Sequence, residues 1–161
     1  VACYTGLRFS DLIQIRTENI INEGKHIKVR TEKTGENVIV PIHKFVKAII
    51  KKYQGGLPSA ISNQKMNDYL KEIAELAGID SVIKSSITRG GRTQTTINKK
   101  FDLVTTHTAR RSFATNTYLQ DMPAISIMKF TGHRTEKSFL KYIRISQEDN
   151  ADKLSSHPFF N

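Results

Sequence analysis

The sequence has no tryptophan, one cysteine and only 4 prolines, and its acidic side chains are far outnumbered by basic ones. Each shortage excludes something. The single thiol, Cys3, cannot form a bridge within the chain, and no Cys/His group has metal-ligand spacing. Neither a disulfide framework nor a zinc site is therefore expected. That usage suits a reducing, cytoplasmic setting. No apolar run approaches the roughly 18 residues of a membrane helix, so no membrane partner is expected. The opening residues Val1-Ala2-Cys3-Tyr4 lack an initiating Met and the basic flank of a signal peptide, and they read as a cut inside a larger protein.

What is present in excess is positive charge. Against 15 Asp and Glu stand 25 Lys and Arg, a formal charge of +10 over 161 residues, and the sequence pI is near 9.8. Such a balance attracts polyanions at long range, and nucleic acid is the commonest polyanion a soluble protein meets. The length suits a single compact domain with a real core.

The hydrophobic pattern is mixed, with more helix than strand. Ser10-Asp11 reads as an N-cap opening a short helix to about Arg16, which puts Arg8 at a helix junction. From His26 to Ile42, Ile27, Val29 and Thr31 alternate with polar residues, then Lys33-Thr34-Gly35-Glu36 intervenes before Val38-Ile39-Val40, predicting a hairpin. Helices are predicted over His43–Tyr53 and Asn63–Ala77, followed by a hairpin or loop around Arg89-Gly90-Gly91. Three more helices are predicted. One runs from His107 to Leu119; the next has Asp121 as its cap and Pro123 in its first turn and stops near Gly132; the third runs from Thr135 to Ile145. A polar stretch closes the chain at Pro158-Phe159-Phe160.

Several residues along this framework suit phosphodiester chemistry. His107 shares a helix face with Arg110 and Arg111, since residues three and four apart are neighbours. Arginine grips two phosphate oxygens at once, and histidine exchanges a proton near neutrality. His133 sits on the connection after Gly132, and Tyr142 falls beside Phe139 and Ile143. Taken singly, each has an ordinary alternative. His107 with its arginines can be a solvated basic face, Tyr142 a core aromatic, Asp11 a first-turn carboxylate and Lys33 a hydrated hairpin tip.

Their joint order is more specific. Thr-Gly-Leu-Arg8-Phe-Ser-Asp11, then Lys33-Thr-Gly, then His107-Thr-Ala-Arg110-Arg111, then Thr-Gly-His133, then Tyr142 nine positions on, resembles the tyrosine recombinase (phage integrase) family. The likeness runs from Val1 to about Ile145, and within the family it is to integrases of conjugative-transposon or prophage type.

The resemblance implies the α+β, mainly helical fold of the recombinase catalytic domain, with small antiparallel hairpins. It implies a site-specific recombinase that cuts and rejoins double-stranded DNA through a 3′-phosphotyrosyl bond, without a cofactor or small-molecule substrate. Arg8 and Arg110 become the phosphate-binding arginines, Lys33 the hairpin lysine, His107 and His133 the two histidine positions, Tyr142 the nucleophile, and Asp11 a support for the arginine. Spacing leaves Arg110 and Arg111 undecided; the family's His-x-x-Arg unit selects Arg110. The family also implies an N-terminal DNA-binding domain absent from this chain, a homotetramer on DNA in a bacterial nucleoid setting, and a tail, 146–161, that docks on a neighbouring protomer or folds back. Two rivals fit the same charge: a non-catalytic DNA-binding module, and strand relaxation of the type IB topoisomerase kind.

Overall fold

The computed structural model describes residues 1–160 and, within them, every side chain except that of Arg89. In chain order the elements are α1 (Ala2–Thr5), α2 (Phe9–Leu12), β1 (Ile20–Ile21), β2 (His26–Arg30), β3 (Asn37–Pro41), α3 (Lys44–Lys52), α4 (Asn63–Leu76), β4 (Val82–Arg89), β5 (Arg92–Lys99), α5 (Thr106–Leu119), α6 (Ala124–Thr131), α7 (Glu136–Leu140) and α8 (Gln147–Leu154). The fold is mixed α+β, mostly helical, with small antiparallel sheets, as expected. It divides into two compact units, Val1–Ser59 with Ala109–Asn161, and Ala60–Thr108.

In the first unit the predicted hairpin forms as β2 and β3, with Ile27 opposite Val40 and Val29 opposite Val38. Strand alternation turns these four inward and leaves Lys28, Arg30 and Ile39 outside. β1, which the sequence reading left out, pairs with the free edge of β2. The inward face packs with Leu7, Ile15 and Val46 as one core cluster. A second cluster is built from Phe113 and Ala114 of α5, Ile127 of α6 and Phe139 of α7. Phe130 packs against both.

Gly6 sits where these parts meet. Its φ is +66°, and a Cβ there would fall 2.3 Å from a ring carbon of Phe113. Any side chain would be both strained and overpacked.

In the second unit, Ser62 caps α4 by accepting from the Lys65 amide at 3.2 Å, and Gly78 follows the helix at φ +72°. β4 and β5 form the predicted hairpin around Gly90-Gly91. Two asparagines of α4 receive Thr106: its amide donates to Asn67 Oδ1 at 2.9 Å and its hydroxyl to Asn63 Oδ1 at 3.2 Å. Those bonds satisfy donors that the start of α5 would otherwise leave open.

Several features differ from expectation, most of them for a tertiary reason; α2 itself ends at Leu12 and not near Arg16. Asp11 is not an N-cap. It lies inside α2, fully buried, and its Oδ1 accepts the Glu32 amide at 2.9 Å, so the carboxylate serves the hairpin. Asp121 does not cap α6 either; its backbone is left-handed at φ +61°, its carboxylate pairs with Lys153 at 3.1 Å, and Pro123 takes the N-cap position.

The helix expected to reach Ile145 ends at Leu140. Thr115 of α5 donates its hydroxyl to the Tyr142 carbonyl at 3.3 Å and accepts the Arg144 amide at 3.2 Å, taking that backbone out of helical pairing. Finally, the polar tail contains α8, opened by a reciprocal capping box between Ser146 and Asp149. Lys153 of α8 donates to the Tyr118 carbonyl and lies 4.4 Å from the centre of its ring, so α8 packs on its own unit. The expected tail extends to Asn161, which lies outside the described residues.

Candidate active site

The site is organised around Arg110. This side chain is 1% exposed, whereas its neighbour Arg111 faces solvent, so burial separates the two arginines that spacing could not. Arg110 Nη1 donates to the Gly6 carbonyl at 2.6 Å and Nη2 to the Thr131 carbonyl at 2.5 Å. It thereby ties the loop before Arg8 to the end of α6. Burial, and next the charge of Arg8, lower its pKa to about 10; the Tyr142 phenol, which hydrogen-bonds it, and Asp11 oppose that shift. Arg110 stays cationic at neutral pH.

Arg8 is part-buried at the N-cap of α2. Its Nη1 lies 3.9 Å from Asp11 Oδ2, an ion-pair contact too long for a hydrogen bond. Among the described residues, the donors Arg8 Nη1 and Arg110 Nε and the acceptor Asp11 Oδ2 are buried without a hydrogen-bond partner. Unpaired buried donors are costly, and two on neighbouring guanidiniums suit an anion.

His133 follows the C-cap of α6. Gly132 reaches φ +64° there, with Thr31 and Val38 methyls 3.4 Å from where a Cβ would stand, so the chain passes tightly over the hairpin. Thr131 contacts the ring. Its hydroxyl donates to the Ile127 carbonyl at 2.7 Å, and its oxygen lies 2.7 Å from His133 Nδ1. When the one hydroxyl proton goes to Ile127, the ring donates from Nδ1 and keeps its lone pair on Nε2, 3.4 Å from Arg110 Nη2. Burial, then Arg110, then Arg8 push the His133 pKa down to about 4, so the ring is neutral at pH 7.

Tyr142 lies in the turn after α7, partly buried. Its ring meets the His133 ring edge-on, with centroids 4.6 Å apart at 62°, and the Arg110 guanidinium carbon is 5.4 Å from its centroid. Arg8, Asp11, Arg110, His133 and Tyr142 are thus brought together within the first unit.

Lys33 is exposed in the connection between β2 and β3. The residues on either side of it are anchored: Glu32 by Asp11 at 2.9 Å, and Thr34 by Arg134, whose Nη2 donates to the Thr34 carbonyl at 2.6 Å. His107 is exposed in the first turn of α5, in the second unit.

Thr131 and Arg134 escaped the sequence reading. Their signal was their position, two before and one after His133. Among the described residues no group of three or more His, Cys, Asp or Glu side chains is placed to hold a metal, and no helix is long and apolar enough to cross a membrane.

The sequence model of the Phage integrase family matches residues 1–149. The chain belongs to that family, the tyrosine recombinases. Among curated proteins no sequence matches. Solved tyrosine recombinases share its fold. XerA recombinase superposes with a TM-score of 0.73 at 17% identity, over 98% of this chain and 56% of that one. The XerH site-specific recombinase bound to palindromic difH substrate, a post-cleavage complex, gives 0.66 at 16% identity, over 96% and 43%. The Tn1549 transposon integrase in complex with transposon right end DNA gives 0.59 at 16% identity, over 98% and 56%. The chain therefore spans about half the length of these recombinases.

Proposed function

We propose that this chain is the catalytic part of a site-specific DNA recombinase that cleaves and rejoins double-stranded DNA through a 3′-phosphotyrosyl intermediate. The observation that carries the reading is the pair of buried guanidinium donors without acceptors, Arg8 Nη1 and Arg110 Nε, beside a tyrosine held by the same Arg110. XerH and the Tn1549 integrase, two structures of the same fold, were solved with DNA, which supports the same substrate here.

In this scheme the scissile phosphate enters between Arg8 and Arg110, which bind its non-bridging oxygens. Fixed donors of this kind stabilise the pentavalent transition state more than the ground state. Tyr142 Oη attacks the phosphorus, the bond from phosphorus to the 5′-oxygen breaks, and Lys33 gives a proton to the departing oxygen. A phenol's ordinary pKa is about 10, so its proton needs an acceptor. His133 Nε2 carries a lone pair on a ring packed against the phenol. A phosphate offsets the two arginine charges that depress His133, and the protonated Nε2 then donates to a phosphate oxygen. His107 is assigned to assist deprotonation on the sequence pattern alone. The covalent bond stores the free energy of the cut strand, so rejoining needs no ATP. The full protein is assigned a homotetramer on DNA.

The test uses the full-length protein and a nicked DNA whose short cleaved fragment diffuses away. The expected product is a protein–DNA adduct on the 3′-phosphate with a free 5′-hydroxyl, reversed by adding a strand that bears that hydroxyl. Salt-sensitive binding with no adduct would reduce the protein to a binding module.

A further inference from the structure

The hairpin that carries Lys33 is held from two directions, and one of the two anchors belongs to no assigned role. On one side Asp11, buried in the Arg8 segment, accepts the Glu32 amide at 2.9 Å. On the other, Arg134, which directly follows His133, makes a fork onto the turn. Its Nη2 donates to the Thr34 carbonyl at 2.6 Å and lies 2.9 Å from Glu36 Oε1, and its Nε donates to the same carboxylate oxygen at 3.0 Å. Thr31 closes the turn from within, its hydroxyl 2.6 Å from that of Thr34 and accepting the Glu36 amide at 3.1 Å. Lys33 thus stands between two residues, Glu32 and Thr34, whose backbones are each fixed to a different segment of the site.

We propose that Arg134 is a positioning residue that delivers Lys33 to the departing 5′-oxygen by locking the hairpin turn to the His133 segment. This rests on the reading of Lys33 as the proton donor. A lysine has a long, flexible stem, and the only part of it the protein can fix cheaply is the backbone at its root. Arg134 does that while remaining largely in solvent, 63% exposed, and its ion pair with Glu36 is likewise solvated. Surface pairs of this sort contribute little to folding. The clamp's effect therefore belongs to the reaction rate and not to stability. Arginine is suited to the task because its planar fork spans a carbonyl and a carboxylate together, which the point charge of a lysine does not.

The discriminating experiment changes the leaving group. Single-turnover cleavage is measured for the full-length protein, Lys33→Ala, Arg134→Ala and Glu36→Gln, on two DNA substrates that carry oxygen or sulfur at the 5′-bridging position of the scissile phosphate. A thiolate leaves without a proton donor. Arg134→Ala should cut the oxygen substrate slower by up to about 10²-fold, the cost of misplacing a reacting group, and cut the sulfur substrate within a few-fold of the parent. Glu36→Gln should show the same pattern more weakly, and both variants should melt close to the parent. If sulfur restores Lys33→Ala but leaves Arg134→Ala equally slow on both substrates, Arg134 acts elsewhere and the inference is overturned. A parental rate for Arg134→Ala on the oxygen substrate overturns it too. If sulfur fails to restore Lys33→Ala itself, the reading of Lys33 is what has failed, and the role given to Arg134 goes with it.

Discussion

The guanidinium carbon of Arg110 lies 5.4 Å from the centre of the Tyr142 ring, and the two side chains are hydrogen-bonded. The group proposed to hold the phosphate therefore also orients the proposed nucleophile. Arg110 does this from a buried position in which Nη1 and Nη2 are already committed to Gly6 and Thr131. The site is in this sense part of the core.

That double commitment predicts that Arg110→Lys is not conservative. Lysine keeps the charge but cannot hold two carbonyls and a phosphate together. Covalent adduct formation should fall by roughly 10²–10³-fold, the range seen when a focused donor is removed. Arg110→Ala should lose at least as much and also destabilise the fold by about 1–3 kcal/mol, because buried carbonyls lose their donor. Cleavage by Arg110→Lys within a few-fold of the parent, measured on the nicked substrate, would remove Arg110 from the reaction.

Asp11 is fully buried and faces both Arg8 and the Glu32 amide. Asp11→Asn keeps an oxygen for that amide while deleting the charge beside Arg8. Cleavage should fall about tenfold or more, as for loss of a charged hydrogen-bond partner, with DNA affinity little changed. An equal loss in affinity, measured by fluorescence anisotropy, would place Arg8 in binding alone.

His133 gives a pH signature. Its folded pKa of about 4 lies below the ordinary histidine value of 6.5. The unfolded chain therefore binds the proton more readily, so this group's contribution to stability is present above pH 6.5 and is lost as pH falls toward 4. In ¹⁵N NMR of the DNA-free protein, the ring should remain neutral at pH 5.5, protonated on Nδ1. Thr131→Val, which removes the acceptor for that proton, should mix the two tautomers. A midpoint near 6.5 would contradict the buried, arginine-flanked environment. Occupation of the site by phosphate or DNA should raise the midpoint.

Much of the framework was legible because it depends on local pattern. Strand alternation around Ile27, Val29, Val38 and Val40 gave the hairpin that carries Lys33, and Gly132 marked the end of α6. The ordered motifs gave the family and the candidate residues. What stayed hidden was set by tertiary hydrogen bonds. Nothing near Tyr142 announces that Thr115, 27 residues earlier, will end its helix. Asp11 read as a cap because a carboxylate at a helix start usually is one, and only the folded hairpin supplies the Glu32 amide that turns it inward. Nothing local to Arg134 signals its role, because the turn it grips exists only once the hairpin has folded. The helix in the tail was missed for a different reason: Ser146 and Asp149 form a local capping box, but the stretch they open is polar and shows no apolar period.

The central claim is that Tyr142 becomes joined to DNA. The most direct measurement is to trap the adduct of the full-length protein on the nicked substrate, digest it, and locate the nucleotide-bearing peptide by mass spectrometry, with Tyr142→Phe alongside. The account predicts a phosphodiester on Tyr142, linked to a DNA 3′ end, and no adduct from Tyr142→Phe despite retained DNA binding. An adduct on another residue, or one that still forms with Tyr142→Phe, would contradict it.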